Sequence, residues 1–149
     1  MIIIIMLIIL IIIGIKKDNN TSTIRTDKRN FSVLDTLSIN KIKLTNRNLE
    51  SINLARTEKY WILNDSLIAN QYSINLLLKT IKEMRIKQPV ARAALDNVIR
   101  RMGIQNTKVT FYNDKQEIKT IFIGGETADQ LGTFMMLEGA KEPYVVHIP

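Results

Sequence analysis

Residues 70–103 read NQYSINLLLKTIKEMRIKQPVARAALDNVIRRMG, and this stretch decides the fold class. Ile74, Leu77, Leu78, Ile81 and Met84 recur at helical spacing, Asn70 stands where an N-cap belongs, and Lys79 with Glu83 makes an i,i+4 pair. An amphipathic helix is predicted there. Gln88-Pro89 interrupts it, because proline is tolerated in a first helical turn but not in a helix interior. A second helix is expected beyond, with Ala91, Ala94, Leu95, Val98 and Met102 on one face and Gly103 as its stop. Two adjacent amphipathic helices can cover one face of a sheet.

On both sides of this stretch the periodicity falls to two. Upstream, strand character is found at Phe31 to Leu34, Ile39 to Thr45, Leu49 to Arg56 and Tyr60 to Leu63. Ile42 and Leu44 alternate with Lys41 and Lys43, and Ile52 and Leu54 with Ser51 and Asn53, as in half-buried strands. Turns fall at Asn46-Arg47-Asn48 and Thr57-Glu58-Lys59, which predicts an antiparallel meander. Downstream, strands are expected at Thr107 to Tyr112, Glu117 to Ile123, Gly132 to Leu137 and Tyr144 to Ile148. The order is meander, helix pair, meander. Strands and helices segregated in this way predict α+β, since a parallel α/β sheet would alternate them.

Met1 to Ile15, MIIIIMLIILIIIGI, holds ten isoleucines and no charge. As a helix it rises about 22 Å against a hydrocarbon core of roughly 30 Å, and Lys16 and Lys17 can snorkel to the headgroups. No basic residue precedes the run and no A-x-A follows it, so an uncleaved membrane anchor helix is preferred to a signal peptide or a buried segment. Residues 16–30, KKDNNTSTIRTDKRN, have the composition of a polar tether, and an α+β domain is expected over 31–149. The five basic and two acidic side chains of the tether favour the cytoplasm for that end by the positive-inside rule, but charge bias alone does not settle the side.

The chain has no cysteine, which excludes disulfides, thiolate catalysis, iron–sulfur clusters and lipoprotein attachment. Its single histidine, His147, rules out His-rich metal sites, and no G-x-S-x-G motif accompanies it. No catalytic residue, metal site or cofactor is assigned. Of the net charge of +7, the helix pair carries most, because residues 79–101 hold seven basic and two acidic side chains. Lys79, Lys82, Arg85, Lys87, Arg92, Arg100 and Arg101 are a candidate basic surface for anionic headgroups or an acidic partner, with a solvated helix face as the simpler reading. No interleaved aromatics accompany the charges, so nucleic acid is not expected as a partner.

Gly124-Gly125-Glu126-Thr127 follows a strand and is a candidate anion or ligand loop. It lacks the G-K-[ST] of a P-loop, and a positive-φ turn between strands is the preferred reading. Trp61 and the run Phe134, Met135 and Met136 read as packing residues. Asp35, Asp65, Glu126 and Asp129 are the carboxylates nearest turns, and a hydrolase would need two of them in one pocket.

Several fragments occur in order: FSVLDT followed by I-x-K-I-x-L at 31–44, W-x-L-N at 61–64, NLLLKTIKEMRIKQPV at 75–90, and KTIFIGGETADQLGTFMMLEGAKEPYVVHIP at 119–149. Together they resemble the bacterial family of domain of unknown function 4340, often encoded beside ABC transporters of the gliding-motility type. The resemblance implies a membrane-anchored domain facing away from the cytoplasm, with no catalytic residue, ligand or cofactor to carry over. It also implies a C-terminal truncation that leaves an open, apolar edge at Tyr144 to Ile148. The leading expectation is a single-pass protein of the cell membrane, anchored in lipid by residues 1–15. Its extracytoplasmic domain would be a non-catalytic accessory or ligand-binding component acting with transporter subunits. A structural module that adds strands to a partner through the open edge is the alternative. An envelope-polymer hydrolase comes third.

Overall fold

Alternating side chains build one antiparallel sheet that the two helices sandwich unequally. The computed structural model describes residues 30–149, so the expected anchor over 1–15 and the expected tether, apart from Asn30, lie outside the described residues. The elements are β1 (Lys41–Asn46), β2 (Ser51–Arg56), β3 (Trp61–Leu63), β4 (Leu67–Ile68) and α1 (Gln71–Glu83). There follow β5 (Arg85–Pro89), α2 (Arg92–Ile104), β6 (Thr107–Tyr112), β7 (Glu117–Glu126), β8 (Thr133–Leu137) and β9 (Tyr144–His147). The nine strands form one sheet of order β4-β3-β2-β1-β6-β7-β8-β9-β5. All neighbours run antiparallel, and with two helices this is the α+β class.

The connection through α1 sets the curvature. It joins β4 at one edge to β5 at the other, and a flat nine-stranded sheet would hold those edges about 38 Å apart. From Ile68 to Arg85 the chain can reach at most about 35 Å, even with α1 straight and its flanking residues fully extended. The sheet must therefore curl over α1. Its concave face and the helix share one core, in which Ile74 and Ile81 join Ile42, Leu54, Trp61, Val109, Phe111, Ile121, Met135 and Val146. Each large side chain fully buried there contributes about 1.5–3 kcal/mol.

Asn70 caps α1 as its sequence predicts, its side chain accepting a hydrogen bond from the Ser73 amide. Phe31 to Leu34 is not the expected strand. Phe31 and Val33 are buried, but the Val33 amide donates to the Ile81 carbonyl, one of the groups a helix end leaves without an internal partner. Lys119 reaches across the concave face to donate to the Ser32 carbonyl at 2.6 Å, and Phe31 meets Tyr144 edge-on.

Three further expectations are corrected. The helices are not adjacent, because β5 separates them and carries the chain to the sheet's far edge, from which α2 returns beneath the convex face. Met102 of α2 lies against Gly124, whereas α1 packs on the concave side. Gly103 is not a stop: α2 runs through Ile104 and is capped by the Gln105 amide donating to Arg101. Nor is the Tyr144 to Ile148 edge open, since β9 pairs with β8 on one side and β5 on the other. Among the described residues the edges of the sheet are β4 and β5. Among the described residues no helix is long and apolar enough to cross a membrane.

Candidate functional site

Two β-bulges lie at the end of the sheet beside β5, and they determine which side chains face inward there. Along β7, Ile121 and Ile123 face the concave core opposite Leu137 and Met135. Strict alternation would turn Glu126 to the convex side. The register shifts between Ile123 and Glu126, however, so that Gly124 and Gly125 together oppose the single residue Phe134, and Glu126 pairs with Thr133. This one-residue insertion brings Glu126 to the concave face, in line with Thr133 and then Val146. In β5 a second shift falls between Ile86, opposite Val146, and Gln88, opposite Val145. It frees Lys87 from the ladder.

Both charged residues line a cavity of about 520 Å³ at the C-terminal end of α1. Its floor is apolar and buried, made of Met84, Met135 and Val146. Its rim is polar, with Thr80, Lys87, Glu126, Gln130, Thr133 and His147. Among the described residues the Glu126 carboxylate has no hydrogen bond or ion pair within the protein. The Lys87 ammonium lies 3.7 Å from the Asp129 carboxylate, an ion pair too long to be a hydrogen bond.

One wall is the loop from Thr127 to Gly132, which is fixed by its own hydrogen bonds. The Thr127 amide donates to the Gly132 carbonyl at 2.9 Å, and Gln130, in the left-handed region at φ 57, donates back to Thr127. Asp129 receives the Thr127 hydroxyl and the Leu131 amide. These bonds, with a smaller effect from Lys87, hold the Asp129 carboxyl below its ordinary pKa of 3.8.

The expected Gly124 to Thr127 loop is thus divided among three roles. Neither glycine has a positive φ, so the turn reading is corrected: both belong to β7, and their bulge lets α2 approach closely. A second cavity, of about 510 Å³, adjoins them and faces the C-terminal end of α2. There Arg47 donates to the Ile104 carbonyl at 2.9 Å and Asn106 to the Met102 carbonyl at 2.7 Å. That is helix-end capping, at the pole of the helix that repels anions. The Thr127 amide is already bonded to the Gly132 carbonyl and is not free for an anion.

The basic residues do not form one surface. Lys79 and Lys82 belong to α1, while Arg92, Arg100 and Arg101 belong to α2 on the opposite side of the sheet. All are exposed. Arg85 donates to the Lys82 and Met84 carbonyls, finishing α1. Of the four carboxylates, only Glu126 lines the 520 Å³ cavity, and Asp129 reaches its rim through Lys87. Asp35 caps a turn at Ser38, and Asp65 occupies a left-handed position before β4. Trp61 is buried in the core as expected, and the Arg56 guanidinium stacks on it with 5.0 Å to the ring centre. No cluster of three metal-ligating side chains exists among the described residues.

The apolar floor from Met84 and Met135, and the part of Lys87 in the rim, were not legible as a site in the sequence. The one available signal was Pro89 after a polar run, which suits an edge strand as well as a helix start. Fold and cavity together define a class: an α+β domain whose curled antiparallel sheet holds a small amphipathic pocket at one end. Compared with protein-family models, curated proteins and solved structures, the chain matches none.

Proposed function

We propose that residues 31–149 are a non-catalytic ligand-binding domain, held to the outer side of a membrane by Met1 to Ile15 and serving as an accessory part of an ABC-transporter-type system. The binding half of this reading rests on the cavity between α1, β5 and the Thr127–Gly132 loop. It joins a buried apolar floor to a few polar groups, the usual composition of a small-molecule site. The membrane half rests on the first fifteen side chains and on the family resemblance.

Strand addition to a partner has less support. β4 has two residues, and β5 is bulged at Lys87 and ends in Pro89, three devices that blunt a sheet edge. Hydrolysis has less still, because the cavity holds one of the four candidate carboxylates.

Binding is tested with the full chain in lipid nanodiscs, its methionine methyls labelled with carbon-13. A chemically mixed library of small metabolites is expected to yield compounds that shift Met84 and Met135 but not Met102 or Met136. A library that moves neither Met84 nor Met135 overturns the binding reading. Membrane fractionation tests the other half: full-length protein recovered wholly in the soluble fraction contradicts the anchor.

A further inference from the structure

Resting on the ligand-binding reading of the same cavity, we infer that its ligand is a small aliphatic zwitterion, a free α-amino acid with a branched or thioether side chain. The pocket carries one charge of each sign. Lys87 supplies an ammonium and Glu126 a carboxylate, and each reaches the rim through a separate bulge. Among the described residues Glu126 has no partner, and Lys87, though ion-paired with Asp129 at 3.7 Å, makes no hydrogen bond there and keeps its N–H donors for a ligand.

That pairing discriminates among ligand classes. A purely apolar molecule seated on Met84, Met135 and Val146 would strip water from two charges and return no bond to either. A simple anion would satisfy Lys87 and be repelled by Glu126, and a simple cation the reverse. A molecule bearing both an ammonium and a carboxylate pairs with both groups, and its aliphatic part covers the floor. Thr80, Thr133 and Gln130 supply uncharged donors and acceptors around the rim. The volume of about 520 Å³ accommodates a single amino acid.

The experiment titrates L-leucine, leucine methyl ester and N-acetyl-leucine into the full chain in nanodiscs, read on the Met84 and Met135 methyls and by calorimetry. L-Leucine is expected to bind, and blocking either end is expected to weaken it at least tenfold. Glu126→Gln should weaken L-leucine by a similar factor while leaving N-acetyl-leucine unchanged, and Lys87→Met should do the same with the methyl ester as its indifferent partner. Both positions are exposed, so each variant is expected to keep the wild-type methyl spectrum elsewhere. If uncharged library compounds shift these methyls and L-leucine does not, or if the blocked forms bind as well as L-leucine, the zwitterion is overturned and the binding reading stands. If no compound shifts them, both fall together.

Discussion

The Cγ of Met102 lies 2.8 Å from the point a β-carbon on Gly124 would occupy, and the Phe134 carbonyl oxygen lies 3.1 Å from the same point. The bulge and the helix above it are therefore fitted to a residue with no side chain. Gly124→Ala should destabilise the domain by about 1–3 kcal/mol, the usual cost of overpacking. Truncating the obstacle as well, with Met102→Ala, should give less loss than the sum of the two single changes. Gly103→Ala is the contrasting substitution. Nothing lies within 4 Å of its β-carbon position and its φ is not positive, so a gain of about 0.4–1 kcal/mol is expected. Urea midpoints at constant slope measure all four.

Thr110 and Thr120 face each other across β6 and β7, both buried, with hydroxyls hydrogen-bonded at 2.9 Å. Thr120→Val leaves the Thr110 hydroxyl without that partner, and a loss of about 1–3 kcal/mol is expected. Changing both to valine should restore part of that stability, because the orphaned Thr110 hydroxyl is then gone too, while the exposed Glu117 carboxylate, which also bonds the Thr120 hydroxyl at 2.6 Å, is left to water in both variants. Equal losses in the single and double variants would show that the hydroxyl pair is not what the first substitution disturbs.

Lys108 donates to Glu138 at 2.9 Å, and this bond, opposed in part by burial, raises the lysine above its ordinary pKa of 10.5. The protonated form is thus the stabilising one. Its contribution is complete below pH 10.5 and disappears as pH rises through the higher folded value. Both side chains are about half exposed, so a double-mutant cycle should give only about 0.2–1 kcal/mol, declining with added salt.

Asp129 has the opposite sign. Its carboxyl sits below 3.8 chiefly because the Thr127 hydroxyl and then the Leu131 amide bond to the charged form. Any stability it lends is present above 3.8 and lost as pH falls through the depressed folded value. Thr127→Val should raise the Asp129 pKa, read from its carboxyl carbon shift, more than Lys87→Met does. The reverse order would make the lysine the principal cause.

Much of the fold was open to reading where side-chain period and backbone chemistry agree. Asn70 begins α1 because a short amide side chain can bond the Ser73 amide, a contact confined to four consecutive residues. Thr107–Tyr112 is a strand at the limits its alternation sets. Segments that depend on distant partners were misread. Phe31 to Leu34 is apolar enough for a strand, yet its backbone answers the end of α1. Arg85–Pro89 has a single half-buried apolar residue, Ile86, and becomes a strand only because β9 offers it an edge.

By itself the sequence determined the α+β class, the two helices with the cap of the first, the central strands and the burial of Trp61, since each follows from local spacing. Tertiary structure alone decided that the helices take opposite faces of the sheet. It also decided that Glu126 and Lys87 meet at one cavity. Alternation predicts the face of a side chain only while the register is unbroken, and a bulge of one residue reverses it at a place that only the neighbouring strand can set.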